Sequence, residues 1–437
     1  MKYIEKNYVL KAKLVVILIL IVFTSSELYS QTESILFNKL NSLYNQKQFF
    51  RLRTELKSQS NLLNESEKDY FNSLTKSVFN KPEESNRIID KLMKENPDKL
   101  TDSMIVELLE CRLINSVNLF DYSEAGKTTE LLLSKYGKLI EPDDIKDFEN
   151  SALIWKAGSD LKGQKVTITG DTRLEIKRDL ANLANIKVNI YNFEEDFIFD
   201  TGANFSTVSK SFAVKLGLKF IEGTIDVGTS TDKKVKSEIA YADSLRIGNL
   251  SFENVAFLVL PDEDLTFAGG MYVINGIIGF PVIKEMKEIV ISEKEIFIPA
   301  ESVSSSYENL TLDGFIPLVE TIVNSDTLIF SFDTGARSTI MYFPYYEKNK
   351  SEIDKLYMPE DIEFAGAGGE TVVKGFNLNN MDFQIASGKT MLNEVSLLSK
   401  HIKDNDEFIY GNLGGDFIGK FSKMIINFDK MYVEFEK

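Results

Sequence analysis

The spacing of apolar and polar residues divides the chain into three stretches. Leu14–Phe23 is one continuous apolar run. From about Ser34 to Ser159, apolar residues recur at helical spacing, as in Ile35-Leu36, Leu40, Leu43-Tyr44 and again in Ile88-Ile89, Leu92-Met93. That rhythm predicts amphipathic helices. After about Asn185, short segments alternate apolar with polar positions and end in Asn, Asp, Gly or Ser, which is the pattern of strands and hairpin turns.

The apolar run is preceded by Lys2, Lys6, Lys11 and Lys13 and followed by Thr24-Ser25-Ser26. A basic start, a short apolar centre and small residues read as a secretory signal. The run falls short of the roughly twenty residues a spanning helix needs. Residues 1–30 are therefore expected to be a signal peptide cut near Ser30/Gln31, with no stable membrane span afterwards. The rest is then exported, to the periplasm or the exterior. A chain rich in Lys, Asn and Ile and without disulfides suits a bacterial cell envelope.

Within residues 31–160, breaks fall at Pro82, Pro97, Gly137 and Pro142, and Glu83-Glu84 after Pro82 suits a helix start. Asn45–Phe49, Asn80–Glu84 and Phe120–Glu124 each introduce an amphipathic helix, at a spacing near that of helix-hairpin repeats. The segment resembles a degenerate tetratricopeptide array. It is either a bundle packed on the rest of the chain or a surface for a protein partner. The polar stretch Gly158–Gly163 marks a junction, taken as residues 161–184.

The last stretch is a duplication. Asp-Thr-Gly-Ala occurs at Asp200–Ala203 and at Asp333–Ala336, each time after an apolar strand, Phe197–Phe199 and Phe330–Phe332. Upstream of each lies a hairpin: Ile186–Tyr191 with Asp196–Phe199, and Ile316–Val323 with Thr327–Phe332. About eighty residues downstream of each lies an apolar strand ending in glycine, Ile274–Gly279 and Ile409–Gly415, with a short helix expected next. Each copy closes with a hairpin that looks like a sheet edge, Glu288–Ile291 with Glu295–Ile298 and Met424–Asn427 with Met431–Glu434. Two carboxylates on facing glycine turns can share one proton and activate one water.

Composition removes the competing chemistries. At 437 residues, two or three domains are expected. A net charge of −16 argues against nucleic-acid binding. The single cysteine, Cys111, excludes an internal disulfide and reads as a small buried apolar residue. The single histidine, His401, excludes a two-histidine zinc site, and its polar surroundings (Ser399–Asp404) make it a solvent-facing residue. Hydrolysis here must be carboxylate chemistry, and no metal or cofactor is expected.

Asp-Thr-Gly-Ala followed by Ile277-Ile278-Gly279 resembles the retropepsin-type aspartic peptidases, over residues 185–437. Both lobes lie in one chain, as in pepsin-like enzymes. The resemblance implies a two-lobed all-β acid-protease fold behind the helical segment, with lobes at 185–300 and 301–437. It implies Asp200 and Asp333 as catalytic residues on loops supported by Thr201, Gly202, Ala203, Thr334, Gly335 and Ala336. The glycines admit the tight turn, the threonines tie the loops together, and the alanines keep the site small. Flap hairpins are expected at Gly228-Thr229 and at Gly366–Gly368, closing over a peptide or protein substrate. Asn204 and Arg337 depart from the family pattern, with Arg337 expected to point outward. The function implied is an exported aspartic endopeptidase. The alternative is a non-catalytic module that keeps the fold to bind peptides.

Overall fold

The computed structural model describes residues 35–228, 234–302, 308–366, 369–401 and 407–437. The signal-peptide reading of residues 1–30 lies outside them. The helical stretch comprises α1 (residues 35–45), α2 (Phe49–Gln59), α3 (Glu65–Val78), α4 (Pro82–Glu95), α5 (Asp102–Asn118), α6 (Tyr122–Leu131) and α7 (Pro142–Gly158). Three of its turns carry a non-glycine residue in the left-handed region: Lys47 (φ 57°), Asn80 (φ 55°) and Phe120 (φ 58°). They fall at the three positions where the sequence repeats its helix-start signal. Local signals fix the ends: Asn64 and Glu67 form a reciprocal cap on α3, and Pro82 opens α4 with Glu83 and Glu84 in its first turn.

The helices pack on both β halves. Phe49, Phe50, Val78 and Phe79 belong to the same apolar core as the strands. Toward the second half, Lys47 pairs with Asp313 (2.7 Å), Arg53 with Glu308 (2.6 Å), and Asn80 Nδ2 donates to the Phe428 carbonyl (2.7 Å). Toward the first half, the buried Lys284 donates to the Asn118 carbonyl (2.6 Å) and lies over the Phe120 ring. Cys111 is buried and free, and His401 is exposed with its ring centroid 4.4 Å from that of Phe343.

Two carboxyls on α5 are half-buried in this bundle. Glu107 and Glu110 are each pushed up to about 7, by burial first, then by Glu110 for the former and by Asp144, against Lys47, for the latter. A carboxyl with a raised folded pKa destabilises once it ionises. Its stabilising contribution is complete below about 4.5, where the unfolded chain is also protonated, and is lost as pH rises through about 7. Glu110→Gln should therefore raise the unfolding free energy, read from the helical signal in urea, by about 2 kcal/mol at pH 8 and change it little at pH 4.5. An equal effect at both pH values would count against ionisation as the cause.

The first β half contains β1 (Lys165–Ile168), β2 (Thr172–Glu175), β3 (Lys177–Arg178), β4 (Ala184–Ile190), β5 (Phe193–Phe199), β6 (Ser206–Ser209), α8 (Lys210–Leu216), β7 (Lys219–Gly228), β8 (Lys234–Ile247) and β9 (Leu250–Leu260). It continues through β10 (Thr266–Phe267), β11 (Tyr272–Val273), β12 (Gly276–Ile278), α9 (Phe280–Ile283), β13 (Glu288–Ser292) and β14 (Glu295–Ile298). The second half contains β15 (Leu310–Asp313), β16 (Ile316–Val323), β17 (Asp326–Phe332), β18 (Ile340–Met341), α10 (Phe343–Leu356), β19 (Glu360–Gly366) and β20 (Gly369–Ile385). It ends with β21 (Gly388–Leu398), β22 (Gly411–Leu413), α11 (Gly415–Ile418), β23 (Lys423–Asn427) and β24 (Tyr432–Glu436).

The duplication is visible in the strand order. The ring β9-β6-β12-β5-β4-β8 closes where β8 pairs β9, and the ring β21-β18-β22-β17-β16-β20 closes where β20 pairs β21 and β16. Closure of each ring leaves few free edges. In both, the strand leading to Asp-Thr-Gly-Ala runs parallel to the glycine strand, Phe199 beside Ile278 and Phe332 beside Leu413. Residues 165–178 add β1 and β3 to the first of these sheets, on β9 and β4, and β2 to a third sheet, on β14.

The closing hairpins differ from their expected edge position. They pair with each other in a five-stranded sheet, β2-β14-β13-β23-β24, in which β13 and β23 run antiparallel from Glu288↔Asn427 to Ser292↔Lys423. Their exposed-looking polar residues are satisfied inside it. The buried Glu288 carboxylate accepts from Asn427 Nδ2 (2.8 Å) and the Tyr432 hydroxyl (3.2 Å). This sheet joins the two halves and sets them face to face.

Candidate active site

Each Asp-Thr-Gly-Ala loop begins where a buried strand ends, at Phe199 and at Phe332, so the aspartate is delivered by a rigid support. The backbone is then pinned to the glycine strand: Asp200 N donates to the Ile278 carbonyl and Asp333 N to that of Leu413, both at 3.0 Å. The loops exit symmetrically too. Ala203 O accepts from Phe280 N and Ala336 O accepts from Gly415 N, both at 2.8 Å. A Cβ on Gly279 would lie 2.6 Å from the Phe205 carbonyl, and one on Gly414 would lie 2.7 Å from that of Ser338. The crossing glycine of the second copy is thus Gly414, not the Gly415 that sequence register suggests. The double glycine hid the one-residue shift, and only the strand pairing resolves it.

The two loops interlock. Thr201 N donates to Thr334 Oγ1 (3.0 Å) and Thr334 N donates to Thr201 Oγ1 (3.1 Å). Each hydroxyl then donates across, Thr201 Oγ1 to the Phe332 carbonyl (3.3 Å) and Thr334 Oγ1 to the Phe199 carbonyl (2.9 Å). This reciprocal set brings the carboxyls together. A Cβ on Gly202 would stand 2.4 Å from Cγ of Asp333, and one on Gly335 would stand 2.2 Å from Cγ of Asp200. Each carboxyl therefore rests on the bare backbone of the opposite loop, and glycine is required on both sides.

Within its own loop, Asp200 Oδ1 accepts from Gly202 N (2.8 Å) and Ala203 N (3.1 Å), and Asp333 Oδ1 accepts from Gly335 N (2.8 Å). The Asp200 carboxyl is held well above the usual carboxylate range. Burial is the main cause, followed by the charge of Asp333 and a hydrogen bond between the two carboxyls, while the Gly202 and Ala203 amides act in the opposite sense. Two carboxyls in this relation titrate as a pair, and such a pair can hold one proton while its other member stays ionised. A group of this kind can take a proton from one oxygen and give one to another atom within the same step.

Of the other expected positions, Gly228 ends β7 and is exposed, and Gly366 ends β19 and is partly exposed. Thr229 and Gly368 lie outside the described residues. Arg337 is exposed, as expected. Among the described residues, no group of three or more His, Cys, Asp or Glu side chains is arranged to hold a metal ion.

Two side chains in or near this region carried no functional signal in the sequence. Asn412 on β22 donates from Nδ2 to Asp333 Oδ2 (3.3 Å), and Ser331 Oγ donates to Asn412 Oδ1 (2.7 Å). The sequence showed only an apolar strand ending in glycine there, although a polar residue in an otherwise apolar buried strand is itself a signal. Asn150 on α7 pairs with the outer edge of β7: its amide donates to the Asp226 carbonyl and its Oδ1 accepts from Asp226 N (2.9 Å). One turn earlier, Asp147 lies 3.6 Å from Lys234 at the start of β8. The helical stretch thereby grips both strands of the first expected flap hairpin.

A protein-family model described as aspartyl protease matches residues 185–282, which include Asp200 and the first glycine strand. A comparison with curated proteins finds no match.

Proposed function

We propose that the chain is an exported, single-chain aspartic endopeptidase. Lobes at residues 185–300 and 301–437 follow a helical segment at 31–160 and a junction at 161–184. The observation that carries this reading is the reciprocal seating of Asp200 and Asp333, each against the glycine of the other's loop. The family match over residues 185–282 supports peptidase chemistry in general.

In this reading a water bound between the carboxyls loses a proton to the ionised aspartate as its oxygen attacks the peptide carbonyl. The protonated aspartate gives its proton to the carbonyl oxygen. The resulting diol collapses with proton transfer to the leaving nitrogen, and no covalent enzyme intermediate forms. The substrate is an extended peptide, recognised through backbone hydrogen bonds and side-chain pockets. The hairpins β7–β8 and β19–β20, which carry Gly228 and Gly366, are the flaps. The helical segment, tetratricopeptide-like in its repeat, is a second protein-binding surface. No helix among the described residues is long and apolar enough to cross a membrane, and the proposed location is the bacterial periplasm or exterior.

The test is incubation of the mature chain with a mixed peptide library between pH 4 and 7, with products identified by mass spectrometry. Cleavage at internal bonds is expected. Binding of library peptides without any cleavage would replace the endopeptidase by the non-catalytic module.

A further inference from the structure

The two halves match closely around the interlocked loops except in one layer. In the first half the strand before Asp200 and its glycine strand place Ile198 beside Ile277. In the second half the same two positions are Ser331 and Asn412. All four side chains are buried or nearly so. An apolar pair has been exchanged for a hydrogen-bonded polar pair directly beneath one aspartate only.

We propose that Asn412 is a positioning residue that breaks the symmetry of the aspartate pair, holding Asp333 as the carboxylate and leaving the shared proton on Asp200. The inference rests on the peptidase reading for its catalytic meaning but not for its protonation claim.

The Asn412 Nδ2 group can only donate, so the Asp333 Oδ2 it faces must accept and cannot carry a proton directed at it. The amide is oriented by its other end, since the Ser331 hydroxyl, which has two acceptors in reach, lies closer to Asn412 Oδ1 (2.7 Å) than to the Gly411 carbonyl (3.2 Å). Asp333 thus receives a donor on each oxygen, Gly335 N on Oδ1 and Asn412 on Oδ2. On Asp200 both backbone donors go to Oδ1, which leaves Oδ2 for the proton. The raised position of Asp200 is in accord. Arg337 on the same loop is exposed, and Asp416 on α11 is engaged with the amide and hydroxyl of Thr339 (both 2.7 Å).

The consequence is a division of labour. Asp333 is the base that takes the water proton, and Asp200 is the acid. Activity is then lost on the acid side when Asp333 becomes protonated. Removing a hydrogen bond to a buried carboxylate weakens its ionised form and moves its titration upward.

The test is the pH profile of kcat/KM for Asn412→Leu, a swap of similar volume. The acid limb should move up by about one pH unit, with the basic limb nearly in place. Ser331→Ala, which loses only the orienting hydroxyl, should move the acid limb the same way by less, and it serves if Asn412→Leu does not fold. A limb that stays put in the folded variants, or moves down, overturns the proposal. A downward shift would mean that the amide presents its oxygen to Asp333. The second measurement needs no turnover. With carboxyl-carbon-labelled aspartate, the Asp333 signal, identified by its loss in Asp333→Asn, should titrate below that of Asp200 and rise in Asn412→Leu. If no form cleaves peptides, this titration still decides the protonation, and the failure belongs to the peptidase reading.

Discussion

Asp200→Asn is expected to lower kcat/KM for peptide cleavage on the order of a thousandfold or more while leaving the protein at least as stable as the wild type. The substitution is close to isosteric, and the amide oxygen can still accept from Gly202 N and Ala203 N, which now bond Oδ1. The amide nitrogen can replace the acid proton in the hydrogen bond to Asp333 but cannot release a proton to substrate. Stability moves the other way because the native carboxyl titrates well above its ordinary value, chiefly through desolvation. At neutral pH the neutral amide removes a destabilising group. Asp333→Asn should lose activity comparably, but without the stability gain, because its new amide nitrogen would face the Asn412 amide. Steady-state cleavage of a fluorogenic peptide and urea unfolding at pH 7 measure both. Turnover that survives unchanged in both variants would remove the paired-carboxyl mechanism.

Gly335→Ala should be nearly as damaging as loss of an aspartate, although it removes no reactive atom. Its Cβ would fall 2.2 Å from Cγ and 2.3 Å from Oδ2 of Asp200, far inside contact distance. The loop cannot yield easily, since the threonines on either side of the interface tie it down with four hydrogen bonds. The added methyl therefore separates the carboxyls or the halves. A displacement of about 1 Å at reacting groups costs on the order of a hundredfold, and losing the shared proton adds to that. Gly202→Ala meets Asp333 at 2.4 Å and should behave alike. Gly137→Ala, where nothing lies within 4 Å, is the matched control and should retain activity. Near-wild-type kcat/KM for Gly335→Ala would show that the two carboxyls need not be this close.

Much of this architecture was legible in the chain because it rests on local and repeated signals. The helical rhythm up to Ser159, the proline-opened α4 and the hairpins before each aspartate depend on periods and turn chemistry that neighbouring residues supply. Other features depend on residues distant in sequence. The closing hairpins look like edges because each strand in isolation shows one polar face. Only in the joining sheet does Asn427 meet Glu288. Asn412 looks like a flaw in an apolar strand until Asp333 is placed beside it. Asn150 looks like an ordinary polar helix residue until the edge of β7 is brought within reach.

The sequence alone determined that two equivalent turns exist, that each carries one aspartate and one glycine, and that no histidine or cysteine pair competes with them. It could do so because a strand, a tight turn and a missing side chain are properties of a few consecutive residues. Only the tertiary structure decided that the turns meet, that Gly414 rather than Gly415 crosses the second loop, and that Asp333 alone has an amide beneath it. Those are contacts between surfaces brought together by strand pairing across the whole β-rich region. Their geometry follows from closure of two barrels and one shared sheet, which no local pattern encodes.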